Sequence, residues 1–309
     1  MQSLEGNDLI VRWFRGTSTR LRRWTNLSIR RAVGLSRDPP ARCTNPAEAY
    51  GDVFGVARVV HGDLPSMLIG GLGSLFFQML HPYAMAGVAQ HSRYQDDPLG
   101  RLLQTANFIT STTFGSKSAA QAAIARVLNV HQFVHGVADD GATYDANDPH
   151  LLLWVHCAEI SMFLTSYRRF GARSLSEHDA DRYVHEMVPL ALDLGVVNSP
   201  NSVAELNATL LSFRPELRLS ADGRVARDFI AHGMMTSRAQ RLVYRLFVLS
   251  AWTLLTPWAQ ELLGVSANVT RDRLAVRPAT KVLCHLIRLA VPPAPGQSAR
   301  VSPPSTTMT

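Results

Sequence analysis

Residues 97–136 read DPLGRLLQTANFITSTTFGSKSAAQAAIARVLNVHQFVHG, and their punctuation decides the fold. Asp97-Pro98 is an N-cap followed by proline at the first helical position, where the missing N–H is no loss. The helix it opens runs through Arg101-Leu-Leu-Gln-Thr105 and stops before Gly115. Ser118-x-x-Gln121 has the form of a capping box. The alanine-rich stretch after it reads as a second helix to His135, with Gly136 as the expected C′ residue. A third helix opens on Asp148-Pro149 and runs through Leu-Leu-Leu-Trp-Val-His (151–156) to about Phe170, before Gly171.

The rest of the body follows the same pattern. Sustained period-2 alternation is absent, no hairpin signal such as Asn-Gly stands out, and there is no internal repeat. Leu68–Leu80 is apolar, contains Gly70, Gly71 and Gly73, and ends at His81-Pro82. Each glycine costs a helix about 1 kcal/mol relative to alanine. In return the glycines admit a close neighbour, either another helix or a flat ligand. Leu242–Val265 contains Arg245, Pro257 and Glu261, so it reads as a buried helix with a proline break rather than a membrane span. The expectation is an all-α chain, with a single multi-helix globular domain over 46–290, a basic leader over 1–45 and a disordered Pro/Ser/Thr-rich tail over 291–309.

Composition excludes several classes. The chain has 309 residues, 46% of them hydrophobic and 18% charged, enough for a sizeable core. The net charge of +7 sits mostly in the leader, where residues 1–42 hold nine arginines against Glu5, Asp8 and Asp38. The body is close to neutral, which argues against nucleic acid as a partner. The leader mixes arginine with Trp13, Phe14 and Trp24, so it is either a frayed helix on the body or a peripheral membrane contact. Cys43, Cys157 and Cys284 are too far apart for a disulfide framework or a thiolate zinc site. A reducing, cytoplasmic setting is the simpler expectation, and no signal peptide is visible. Dinucleotide, P-loop, serine-hydrolase and zincin motifs are all missing.

Three helix faces could carry chemistry. Ile124, Val127, Leu128, His131, Val134 and His135 share a stripe, so His131 points inward. A buried imidazole needs partners for both nitrogens. Spacing alone leaves open a core histidine bonded to a carbonyl, or a metal or haem ligand. His131 and His135 also have the i, i+4 spacing of a helical metal pair, a weak signal without a third ligand. Arg101, Thr105, Phe108 and Thr112 share a face on which Arg and Thr could hold a carboxylate, or Arg could pair with a nearby acid. His156, Ile160, Phe163 and Tyr167 share another, which is either helix core or a pocket wall.

The order of these pieces resembles a known family. His81-Pro82, then Ala86-Gly-Val-Ala-Gln-His-Ser92, Asp97 to Thr105 with its Arg-x-x-x-Thr, His131-x-x-Val-x-Gly136 and Trp154-Val-His156 are similar to the catalytic domain of the MpaB oxygenases and the rubber oxygenases, or latex clearing proteins. The resemblance spans roughly residues 50–270. It implies a helical fold enclosing haem b, with His131 as the axial iron ligand, Arg101 and Thr105 in the haem pocket with a catalytic role, and Trp154 and His156 as a further wall. It implies an oxygenase that acts on an apolar, isoprenoid or lipid-like substrate with dioxygen. The alternatives are a non-catalytic haem or lipid carrier and a non-haem metal protein. One departure stands out. Rubber-cleaving members use an acid upstream of Arg-x-x-x-Thr, and Leu68–Gln90 here holds no Asp or Glu.

Overall fold

The computed structural model describes residues 42–233, 238–265 and 268–291. All of the leader except its last four residues, and the tail after Val291, lie outside them. Within the described residues the protein is a mostly α-helical single domain with one two-stranded sheet.

The centre is a helix pair. α1 (Val56–Gly62) leads into α2 (Leu64–Gln78), which is capped by Asp63 with Pro65 in its first turn. α3 (Pro82–His91) follows after a sharp bend. α4 (Pro98–Phe114) and α5 (Lys117–His131) form a hairpin of helices, and the strands β1 (His135–Val137) and β2 (Thr143–Asp145) come next. α6 (Pro149–Phe170) is the long central helix, and it packs along α2. The glycines of α2 make this possible. A Cβ on Gly70 would stand 3.0 Å from the Phe163 ring and 3.1 Å from the Met162 carbonyl, and one on Gly73 would stand 3.3 Å from Met162 Sδ. The close neighbour that Gly70 and Gly73 admit is therefore another helix, α6. Trp154 Nε1 donates to the Gln78 carbonyl at 3.2 Å, and Ser166 Oγ donates to the Ser66 carbonyl at 2.7 Å, which locks the pair in register.

Shorter elements wrap this pair. They are α7 (Glu177–Glu186), α8 (Val188–Asp193), α9 (Val203–Ser212) and α10 (Ala221–Asp228). α11 (Arg238–Leu254) and α12 (Pro257–Leu263) break where the proline forecasts it, at Leu255-Thr256. A π turn, Asp272–Val276, leads into α13 (Arg277–Ala290). Asp63 ties both ends of the domain together. It caps α2, accepts from Ala172 N at 2.7 Å and receives Arg288 at 2.8 and 3.0 Å. Among the described residues no single helix is long and apolar enough to cross a membrane; α2 and α3 would pass together on length and composition, but they meet at 106°.

The second helix differs from its expected form at both ends. Its N-cap is Ser116, whose hydroxyl accepts from Ala119 N, rather than Ser118. It ends at His131, not His135. Phe133 N and Val134 N turn back onto Val130 and His131 carbonyls, and His135–Val137 leave as a strand paired with 143–145. Gly136 is therefore not a C′ residue. A side chain there would come within 2.8 Å of Gln90 Oε1 and 2.9 Å of Tyr144 Oη. The hairpin loop turns at Asp140-Gly141, where Gly141 has φ +82°. Asp-Gly between Val137 and Tyr144 is a hairpin signal of the same kind as Asn-Gly, and it was legible in the sequence.

Candidate functional site

Helix geometry brings Arg101 and His131 together. Arg101 lies thirteen residues before the end of α4, and His131 lies fourteen after the start of α5. At 1.5 Å per residue, both are about 20 Å from the turn that joins the two helices. Because the turn is only Gly115-Ser116, the helices run back antiparallel and both residues fall at the same end. The chain segment before α1 clamps the turn: Cys43 N donates to the Phe114 carbonyl at 2.7 Å, and Lys117 N to the Glu48 carbonyl at 2.8 Å.

At the turn the hairpin is buried, through Ser111–Gly115, Ala120 and Ile124. Toward the other end it opens. Leu102, Leu103, Phe108, Ile109, Val127 and Leu128 are only half-buried. His131 is half-buried too, yet its Nδ1 is enclosed and has no hydrogen-bond partner. Its pKa is lowered, first by burial and then by the positive charge of Arg101, with Asp145 opposing. The imidazole is therefore neutral at pH 7, the form that binds a metal. Arg101 is exposed along its length, but enough protein surrounds it to lower its pKa by desolvation. No carboxylate pairs with Arg101 among the described residues, so the ion pair that its face could have served is not what holds it. Thr105 is exposed one turn further on and donates its hydroxyl to the Arg101 carbonyl at 3.2 Å.

His156 belongs to another group of side chains. It is buried in α6, its Nε2 lies 3.4 Å from Ser199 Oγ, and burial pushes its pKa down to about 4. Trp154 is fully buried core, with Phe77 and Phe213 ring centroids at 5.1 and 5.3 Å. His135 is exposed on β1, so the helical pair with His131 does not form. Among the described residues no group of three or more His, Cys, Asp or Glu could hold a metal ion. The metal pair that a continuous helix through His131 and His135 would present is therefore not formed.

One functional candidate was missed in the sequence. Glu159 on α6 is the lone carboxylate among apolar residues, a signal that was available in the run 151–167. Burial pushes its carboxyl up to about 7. Burial, and after it the charge of Glu159, also raises the pKa of Tyr183, whose hydroxyl is 2.9 Å from His61 Nε2, while His61 Nδ1 is 2.8 Å from Thr113 Oγ1. This chain of polar groups links α6, α7 and α1 to α4, the helix that carries Arg101.

The arrangement is that of a mostly α-helical single-domain protein with a neutral imidazole and an uncompensated guanidinium at the open end of one helix pair. The chain belongs to the family described as "ER-bound oxygenase mpaB/B'/Rubber oxygenase, catalytic domain", which it matches over residues 58–289. That places it in an oxygenase family, with Arg101, Thr105, His131 and His156 all inside the matched span. No curated protein and no solved structure matches the chain.

Proposed function

We propose that this protein is a haem-b-dependent oxygenase acting on an apolar, isoprenoid- or lipid-like substrate with dioxygen. One observation carries the reading: a neutral imidazole with an orphaned buried nitrogen stands beside a guanidinium that no carboxylate pairs among the described residues. These residues fit a flat group that brings its own metal and its own carboxylates. Bound haem b would supply iron able to activate dioxygen, chemistry that no side chain here provides.

The chain's own residues then have distinct tasks. His131 would ligate the iron, and burial first, then the positive charge of Arg101, keep its ring unprotonated. Arg101 would bind a haem carboxylate through its forked donors. Thr105 offers a hydroxyl one turn away. His156, neutral and buried beside Ser199, lies outside this group. The half-buried Leu102, Leu103 and Leu128 of α4 and α5 would help to exclude water from such a group. Glu159, with a carboxyl near 7, is the side chain best suited to take or give a proton at neutral pH, a role the segment Leu68–Gln90 cannot fill.

The test is the absorption spectrum of the purified protein. The wild type is expected to show a Soret band that His131→Ala loses and Arg101→Gln weakens. A full-strength, unshifted band in His131→Ala would remove His131 as the ligand. Oxygen uptake with isoprenoid substrates separates the oxygenase from a haem carrier, a reading favoured by the acid-free Leu68–Gln90 segment. A haem-loaded protein that consumes no oxygen is a carrier.

A further inference from the structure

α13 is an amphipathic helix with one face anchored and the other bare. On the inner face Thr280, Cys284 and Ile287 are buried, Ser250 Oγ lies 2.7 Å from Thr280 Oγ1, and Arg288 reaches back to Asp63 and to the Phe170 carbonyl. On the outer face Val282, Leu286 and Leu289 are 61%, 56% and 58% exposed. Their spacing of four and three puts them on one line along the helix. Leu274, 76% exposed, stands on the π turn just before. Arg277, Lys281 and His285 form the adjacent line, all exposed. Between Val269 and Val291 the one carboxylate is Asp272, which is buried beside Arg169. The outer surface therefore offers aliphatic side chains and positive charge with no negative charge among them.

Single exposed leucines need no explanation. A row of them on one helix, bordered by cations, is the pattern of a helix that lies in a membrane interface. We infer that the outer face of α13 docks on an anionic lipid surface, with Val282, Leu286 and Leu289 entering the acyl boundary and Arg277 and Lys281 meeting the headgroups. Charge decides among the occupants. A second copy of this face would set Arg277 and Lys281 against their own counterparts. The leader, nine arginines against three acids in residues 1–42, is repelled in the same way. A bilayer rich in acidic phospholipid neutralises the cations and accepts the leucines together. The helix is already formed and fastened at Arg288, so docking does not have to order it. This inference does not depend on the oxygenase reading.

Vesicle co-sedimentation of the full chain tests it, with sucrose-loaded phosphatidylcholine vesicles containing or lacking about a third phosphatidylglycerol. The wild type is expected to sediment with the anionic vesicles, to stay in solution with neutral ones, and to be released by high salt. Val282→Glu/Leu286→Glu should weaken binding about tenfold or more, as should Arg277→Gln/Lys281→Gln by about the same factor. All four positions are exposed, so far-UV circular dichroism and the melting temperature should be unchanged. A wild type that ignores anionic vesicles overturns the inference. So does a Glu variant that sediments undiminished, since binding then resides elsewhere, in the leader for example. A dimer seen by light scattering that the Glu variant dissociates also overturns it, because the face then belongs to a second copy.

Discussion

Lowering the pH from 7 to 5 should destabilise this fold by about 4 kcal/mol, a figure that follows from four buried groups. Burial holds His61 down to about 3 and His81 and His156 down to about 4, against 6.5 for an ordinary imidazole. Where the native pKa is depressed, the unfolded chain takes up the proton first. The stability these residues contribute is complete above about pH 6.5 and falls as the pH drops toward 4. Between pH 7 and 5 each loses about 2 kcal/mol, and the three together about 6. Glu159 works the other way. Its carboxyl is raised from 4.5 to about 7, so its stabilisation is complete below 4.5 and is lost as the pH rises through 7. Going down from pH 7 to 5 it returns about 2 kcal/mol. The net loss of about 4 kcal/mol is a large share of the roughly 5–15 kcal/mol that holds a domain together. Urea unfolding followed by circular dichroism at pH 7, 6 and 5 measures it. Glu159→Gln removes the opposing group, so its loss over the same interval should grow to about 6 kcal/mol. A wild-type stability that is flat between pH 7 and 5, or equal pH slopes in the two proteins, would refute the reasoning.

Gly70→Ala should lower stability by about 1–3 kcal/mol, because the new methyl meets the backbone of α6 and the helices must part. Gly71→Ala is the internal comparison. Its Cβ would find only Phe163 Cε1 at 4.0 Å, so the thermal melt should be unchanged or rise slightly from the gain in helix propensity. Arg288→Met leaves the Asp63 carboxylate, 5% exposed, without its cation, and should cost about 3–5 kcal/mol in urea unfolding. If Arg288→Met unfolds at the wild-type urea concentration, Asp63 is held by its backbone donors and not by the ion pair.

Much of the fold was legible because local chemistry punctuates it. Asp97-Pro98 and Asp148-Pro149 start α4 and α6 at the expected residues, and Gly115 and Gly171 cap them. Each of these signals works through a cap, a fixed φ or a missing N–H within four residues, so no distant contact can overrule it cheaply. The end of α5 was not legible in the same way. His131 to His135 continue a helical apolar pattern, but the pairing of Gly136 with Tyr144 supplies hydrogen bonds the helix would otherwise have made, and it pulls the chain away as a strand. The Asp140-Gly141 turn was the available sign of it.

The candidate site divides along the same line. Sequence alone singled out His131, Arg101 and Thr105 as candidate site residues on helix faces, and the motif order gave the family. It could not say whether Arg101 has an acid to pair with or whether His131 has a partner for its second nitrogen. Those are questions about what the rest of the chain brings nearby. The short turn at Gly115-Ser116 folds two helices of nearly equal length back on each other, which sets Arg101 beside His131. The glycine-notched pair α2–α6 places Glu159 and His156 deep enough that burial rewrites their protonation. Helix identity is settled by interactions a few residues apart, whereas solvation and charge pairing at a side chain depend on surfaces contributed from far along the chain, and only the tertiary structure assembles those.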